Sequence, residues 1–569
     1  MAGPEIGGAR LRQMLATGRL LEGEELCPDG ADPLGGIPDL ADCLPGPALM
    51  SALPPGLLFR HEAVPLRRDR GGVLFAGVRP DALPDLARAA EDAGLGSAAA
   101  HGFAAVTAAE VAEALEAVAP AQACAALART APEDSCRTLG MPRTLLAVLV
   151  VLSAAATVLA PAAAILVLVL TSSAALAASC GLRLTAAIAA LTSQGDPPRA
   201  RPHRLPTISV LVPLFQENRV TTRLLRRLEA VDYPRDLLDV RLVVEADDAI
   251  TARAIALSEL PLWITVVRVP AGPIRTKPRA LNYALDGCRG SIVGVWDAED
   301  APEPDQLRKV AATFAAAAPD VGCLQGRLSL DAKGRGWLSR CFALEYDAWF
   351  SVMLPGLSRL GLPVPLGGTT LFLRRDAIEA VGGWDAHNVT EDADLGIRLH
   401  RRGWRTRLID TVTVEEPPER VGIWIRQRSR WLKGYAATWA VHARRPGALA
   451  SDLGPRGALA FHVLIAGTLL QFTLAPLFWL LWPAALGWEG PLDGSIPAGL
   501  RYGLIALALL SEATGLAVYV LAARRVGAPR RAWLGPTMLL YFPLATLAAW
   551  KALVELVVAP FYWDKTDHG

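Results

Sequence analysis

Three short clusters within residues 292–431 carry the residue types that could do chemistry. The first is Asp297-Ala298-Glu299, in the run V-W-D-A-E-D-A-P-E-P-D at 295–305. Carboxylates two apart, just past a buried strand, can both address one hard cation. A divalent ion held there can neutralise a departing diphosphate. The second is Thr390-Glu391-Asp392, which follows Gly382-Gly383-Trp384-Asp385. Asp392 suits a general base that takes the proton from an acceptor hydroxyl as its oxygen attacks an activated carbon. The bland alternative is a helix start over 393–402, with Thr390 as cap and the acids favoured by the helix dipole. The third is Gln427-Arg428-Ser429-Arg430-Trp431. On a helix, Gln427, Arg430 and Trp431 share one face. Arg430 suits a phosphate, and Trp431 offers a flat apolar surface to a sugar ring. With Arg426, Arg428 and Lys433 nearby, the same helix also reads as a basic amphipathic segment on anionic lipid. The two readings are compatible.

The elements that must position these groups follow from the apolar pattern. Residues 208–213, 240–245, 264–269 and 291–296 read as short strands, and 221–230, 252–257 and 278–288 as the helices between them. Strands alternating with helices imply a mainly parallel, doubly wound sheet. Ligands of such sheets sit at the carboxyl ends of the strands. Glu217 falls after the first strand, Glu245 and Asp247 after the second, and Asp297 after the fourth.

The flanks are of another kind. The chain has 569 residues, 52% of them hydrophobic, with a mean hydropathy of +0.31 and a net charge of +1. The charge gives no global pull toward nucleic acid, and the apolar excess sits in blocks, as in an integral membrane protein with soluble parts. Residues 144–182 are almost purely apolar around Pro161, with Arg137, Arg143 and Arg183 at the ends, which predicts a hairpin of two short spans. Residues 458–486 and 502–523 predict further spans. Arg524, Arg525, Arg530 and Arg531 place the following loop in the cytoplasm. The 548–558 segment, with Lys551 and Glu555 four apart, reads as an interfacial helix, for about four spans in all. Eight cysteines without close spacing read as free thiols in a reducing compartment. A polar, glycine-rich start at 1–13 predicts no signal peptide and a cytoplasmic front domain. That domain, 1–140, reads as a small α/β module with a strand at 72–78 and helices at 80–93 and 107–118.

Taken together, V-P-L-F-Q-E (212–217), E-A-D-D (245–248), T-K-P-R-A-L-N-Y-A-L (276–285), D-A-E-D-A-P, T-E-D and Q-R-S-R-W resemble the processive, membrane-embedded members of glycosyltransferase family 2, the bacterial cellulose, hyaluronan and exopolysaccharide synthases. The resemblance covers about 205–435. It implies a GT-A fold, an inverting hexosyltransferase, a nucleotide-diphosphate sugar donor and Mg²⁺ or Mn²⁺. By position, Glu217, Glu245 and Asp247 surround the nucleoside and Lys277 contacts the diphosphate. Asp297 and Glu299 fill the metal motif, where Glu299 departs from the usual second aspartate. Asp392, with Glu391 beside it, is the base. Gln427, Arg430 and Trp431 hold diphosphate and acceptor, and Gly367-Gly368-Thr369-Thr370 forms the acceptor-side loop. Separately, R-L-x-x-x-L-x-x-G-x-L at 10–20 resembles the start of the N-terminal domain of type II secretion and pilus ATPases, some of which bind cyclic di-GMP. Here Arg12 stands where glycine is usual.

The expectation is therefore a front regulatory or docking domain (1–140), a transmembrane hairpin (144–193) and a Rossmann-like GT-A domain (205–420). An interfacial Q-x-x-R-W helix (421–445) and C-terminal transmembrane and interfacial helices (457–569) complete it. The expected activity is transfer of glucose from UDP-glucose onto a growing β-linked exopolysaccharide at the bacterial inner membrane, with the catalytic domain in the cytoplasm. The alternatives are single-step transfer to a lipid acceptor, diacylglycerol or polyprenyl phosphate, and a non-catalytic assembly subunit. Expected partners are the donor, a glycan or lipid acceptor, membrane lipid and a cytoplasmic or periplasmic secretion partner, with no nucleic acid.

Overall fold

A computed structural model describes residues 47–559 apart from 70, 116–118, 140–154, 156–157, 193–203, 218–219, 262, 480–482, 484–487 and 489–497. The motif at 10–20, Cys27, Cys43, the first arm of the expected hairpin and the tail after 559 lie outside the described residues.

The catalytic layer is built on eight strands in the order β6-β5-β4-β7-β10-β9-β11-β8. They are β4 (Ile208–Leu214), β5 (Leu238–Glu245), β6 (Ile264–Val269), β7 (Ile292–Val295), β8 (Ala301–Pro302), β9 (Val321–Leu330), β10 (Leu371–Arg374) and β11 (Arg405–Glu415). The first four pair in parallel, as the alternation of strands and helices predicts. The far half is mixed: β10 runs antiparallel to β7 and β9, while β11 is parallel to β9 and antiparallel to β8. Successive side chains of a strand face opposite ways. Val210, Val212 and Leu242 pack on one side with Leu224 and Leu307. Leu211, Val243 and Val295 pack on the other with Leu281 and Leu395. Burial on both faces explains why these strands read as nearly continuous apolar runs.

In front lies a separate small unit with its own core, which includes Leu58, Phe75 and Leu86. Its sheet has β1 (Ala63–Asp69) antiparallel to β2 (Gly72–Gly77), and β2 parallel to β3 (Gly102–Ala105). Eight helices matter below: α1 (Ala119–Ala128), α2 (Pro161–Leu191), α3 (Lys277–Gly287), α4 (Trp337–Ala348), α5 (Glu391–Arg401), α6 (Val421–His442), α7 (Ala498–Arg525) and α8 (Pro543–Val558).

Among the described residues, three helical stretches are long and apolar enough to cross a membrane: Pro161–Leu191, Pro446–Trp479 and Gly499–Arg525. A fourth span is available if Pro529–Tyr541 and Pro543–Val558, bent by 49°, act together. Pro161 sits in the first turn of a 31-residue helix, where a missing N–H costs nothing, after a non-helical Ala160; this helix is the second arm of the expected hairpin. The 548–558 segment is helical and packs on α6. Ala548, Ala549 and Ala552 of α8 pack on Leu432 of α6. Glu555 pairs with Lys551, and at 3.4 Å with the buried Lys433. The six described cysteines are free.

Candidate active site

All the predicted site residues except Asp247 line one cavity of about 630 Å³. The carboxyl ends of β4, β5 and β7 deliver Glu217, Glu245 and Asp297 with Glu299 to it, as the strand–helix alternation predicts. Helix starts deliver Lys277 (α3) and Glu391 with Asp392 (α5). Helix α6 presents Gln427, Arg430 and Trp431 on one face.

Lys277 sits at the centre. Its ammonium pairs with Asp297 and donates to the Gly368 carbonyl at 2.9 Å. Burial alone would push this lysine down, but Asp297 and Glu391 more than offset it and hold it above its ordinary value. Gly368 is a tight position: a Cβ there would lie 3.1 Å from Asp392 Oδ2. The glycine loop therefore abuts Asp392. Thr369 bonds to Asp300 Oδ2, which also accepts from the Asp297 N–H at 2.8 Å.

Glu391 and Asp392 are both raised. Burial and the neighbouring Asp392 push Glu391 up to about 7, partly offset by Lys277. Burial also raises Asp392, against the Ala393 N–H at 2.8 Å, Lys277 and Arg430. The helix begins at Glu391, two residues before the predicted start. Thr390 occupies the cap position, but its side chain makes no capping hydrogen bond. Instead it packs against Gly434 of α6, where a Cβ would come within 2.2 Å of Thr390 Oγ1. That close approach locks the helix that starts with Glu391 and Asp392 to the Q-R-S-R-W helix.

Two acids that sequence reasoning did not assign complete the donor end. Asp300 is 1% exposed, and its Oδ1 has no hydrogen-bond partner. Glu415 ends β11 and lines the cavity. Burial first, then the mutual repulsion of Asp297, Glu299, Asp300 and Glu415, pushes Asp300 and Glu415 well above the carboxylate range. Among the described residues no three His, Cys, Asp or Glu side chains form a ready-made metal cage. The orphaned Asp300 oxygen and four crowded carboxyls nevertheless fit a divalent cation that arrives with a diphosphate supplying its other ligands.

The predicted ambiguity between Glu245 and Asp247 is also visible. Glu245 lines the cavity but is gripped by both Arg279 bonds, at 3.0 and 3.1 Å; burial raises it more than Arg279 lowers it. Asp247 is exposed and pairs with Arg275, which itself lines the cavity. Asp248 caps the next helix through the Thr251 N–H at 3.1 Å. Arg428 does not face a phosphate. It pairs with Glu345 at 2.5 Å and lies over the Trp424 and Trp431 rings. Tyr541 donates to the same Glu345 at 2.6 Å and accepts from Trp424 Nε1 at 2.8 Å. A buried network thus ties Trp431 to the last membrane-associated helices. Gln427 Oε1 is a buried acceptor with no partner among the described residues, ready for a ligand donor.

The cavity lining is of two kinds. Besides the charged groups above, it includes Phe342, Phe350 and Met353, and Phe472, Val518, Tyr519 and Phe542 from the C-terminal helical region, with Arg183 of α2. One void therefore joins a cluster of carboxylates to apolar surface that these helices contribute.

Residues 206–434 match the family described as glycosyltransferase like family 2. A β-monoglucosyldiacylglycerol synthase of Synechocystis sp. is 30% identical over 383 residues, covering 64% of this chain and 75% of that protein. A protein of the same description from Trichormus variabilis is 30% identical over 235 residues, 40% of this chain and 49% of that one. Among solved structures, the mannosyltransferase PcManGT from Pyrobaculum calidifontis, in complex with GDP-Man and Mn²⁺, is 22% identical. The match covers 68% of this chain and 99% of that one, with a TM-score of 0.45. By the extent of these sequence matches, and with a GT-A-like sheet carrying its acids at the strand ends, the chain belongs to glycosyltransferase family 2.

Proposed function

We propose that this enzyme transfers one hexose, with inversion, from a nucleotide sugar to the hydroxyl of a membrane lipid of the diacylglycerol class. The observation that carries this is one cavity whose lining combines charged groups suited to a nucleoside diphosphate sugar with apolar side chains from the long apolar helices. The relatives named β-monoglucosyldiacylglycerol synthase support it, since that name gives a monoglucosylated diacylglycerol as product. They favour it over the polymer product that the sequence motifs first brought to mind. UDP-glucose is the favoured donor.

In this reading Glu217 and Glu245 face the nucleoside, and Lys277 and Arg430 hold the diphosphate. Asp297, with Glu299, Asp300 and Glu415 around it, would hold Mg²⁺ or Mn²⁺, which supplies charge neutralisation for the departing diphosphate. Asp392 takes the acceptor proton, and burial, which raises its proton affinity above that of an ordinary carboxylate, favours that role. Gln427 and Trp431 orient the sugar and the acceptor head. The membrane helices anchor the enzyme in a bacterial inner membrane with the catalytic domain in the cytoplasm, and the front unit is a docking or regulatory module.

The test is nucleoside diphosphate release by the full-length protein in nanodiscs, across UDP-glucose, UDP-galactose, UDP-N-acetylglucosamine and GDP-mannose. Diacylglycerol, polyprenyl phosphate or a glucan primer is supplied in turn. Release stimulated by diacylglycerol alone supports the reading. Release that needs the primer returns the polymer synthase.

A further inference from the structure

The front part of the chain touches the catalytic domain at the two helices whose first turns carry Lys277 and the Glu391–Asp392 pair. Helix α1 packs on α3 through Ala123 and Ala126 against Ala280 and Ala284. Asp286, in the last turn of α3, accepts from Gln122 and, at 2.5 Å, from Arg129. Asn282 of α3 donates to the Ala126 carbonyl at 3.0 Å and to the Trp384 carbonyl at 2.6 Å, and accepts from the Trp384 N–H at 2.9 Å.

Residues 130–138 then bond to the loop that leads into the helix carrying Asp392 and to the far end of that helix, and Cys136 packs with Ala437 and Val441 of α6. At the front end Thr130 donates to the Gly382 and Trp384 carbonyls, each at 3.1 Å. Asp385, 1% exposed, accepts from Ser135 Oγ at 2.7 Å and from the Cys136 N–H at 2.6 Å. Within its own loop Asp385 is offered the His387 N–H at 3.2 Å. At the back end Asp134 accepts from Arg401 at 2.8 Å and Arg402 at 3.2 Å.

Between Asp385 and the base the path is short and fully bonded. Thr276, next to Lys277, donates to the Ala386 carbonyl at 2.8 Å. Asn388 donates to Thr438 of α6 at 2.8 Å and accepts from the Thr390 N–H at 3.0 Å. A buried carboxylate that loses an outside donor is left under-satisfied and shifts toward water or toward new donors. For Asp385 that means moving the loop that sets Asp392.

We propose that residues 130–138 form a strap, and that Ser135 and Asp385 are positioning residues for the general base. The inference rests on Asp392 being that base. It goes beyond the proposed reaction by making the front segment part of the catalytic geometry. Ser135 bonds none of β4, β5, α3 and α6 itself, and its loop reaches them only through the Thr276–Ala386 and Asn388–Thr438 bonds, so the strap acts more on turnover than on donor affinity.

The experiment is steady-state kinetics of full-length Ser135→Ala, Ser135→Thr, Asp385→Asn and the Ser135→Ala/Asp385→Asn double variant in nanodiscs, with the melting temperature of each. A displacement of the base by about 1 Å costs up to roughly a hundredfold, so Ser135→Ala should lower kcat by about 10- to 100-fold. Donor KM should stay within about threefold. Ser135→Thr, which keeps the hydroxyl, should restore most of the turnover. The double variant should be no slower than the slower single one, because both remove the same contact. If Asp385→Asn does not fold, the Ser135 pair alone decides. Wild-type turnover of Ser135→Ala, equal loss in the Ala and Thr variants, or a rise of donor KM in step with the fall in kcat would overturn the strap. An Asp392→Asn control that kept full activity would remove the base assignment instead, and so the two failures are told apart.

Discussion

The acids of T-E-D-A-D look alike in sequence, yet two of them should respond in opposite ways to the same substitution. Asp394 is fully buried, accepting from Arg398 Nε at 2.7 Å and from His442 Nε2 at 2.9 Å. Burial would raise it, but Arg398 and His442 win and hold it below the carboxylate range, so the fold favours its charge. Asp392 is raised by burial, so the fold disfavours its charge. A group whose folded value is depressed adds stability above its unfolded value and loses it as pH falls; a raised acid does the reverse. At pH 8, Asp394→Asn strands the 2%-exposed Arg398, and breaking a buried pair costs about 3–5 kcal/mol. For a domain of this size that is a drop of about 6–20 °C in melting temperature. Asp392→Asn should melt with the wild type or slightly above it, while turnover falls by about 10²- to 10⁴-fold. Scanning fluorimetry and nucleoside diphosphate release on both variants measure this. Equal melting losses, or an Asp392→Asn enzyme that turns over normally, would refute the reasoning.

Other expectations follow from the same geometry. Because Glu391 sits at about 7 and Asp392 is raised, kcat should fall as pH drops through neutrality; a profile flat down to about pH 5, near the ordinary carboxylate values, would contradict this. Lys277→Gln removes a charged contact worth about 1.5–3 kcal/mol, so the donor KM should rise by about 10- to 100-fold, read from initial rates. Tyr541→Phe leaves Glu345 and Trp424 each short of a partner and should lower stability by about 1–3 kcal/mol, seen as a lower melting temperature.

How far the sequence revealed the site depended on how locally each residue's role is set. Asp297 announces itself because it follows a buried apolar strand, whereas Lys277 is legible only through the family resemblance of the T-K-P-R-A-L-N-Y-A-L run. Gln427, Arg430 and Trp431 were legible from helical spacing alone. Glu415 was not, because its neighbour Asp300 lies far back in the chain. The antiparallel register Thr413↔Pro302 and Val414↔Ala301, continued by one residue, brings the two together. Asp394, Arg428 and Asp385 each read as a candidate for chemistry or as surface charge. Only packing shows that His442, Glu345 and Ser135 have claimed them. The mixed half of the sheet was hidden for a related reason: β10 has four residues, too few for periodicity to show its antiparallel direction.

The most direct test of the central claim is the product itself. The full-length enzyme in diacylglycerol-containing nanodiscs is given a large excess of UDP-glucose, and the lipid extract and the aqueous phase are sized by mass spectrometry. A single hexose on diacylglycerol, with no longer species as time and donor increase, is the predicted result. A ladder of oligosaccharides, or a long glycan with no glycosylated lipid, would contradict the account and restore the polymer synthase.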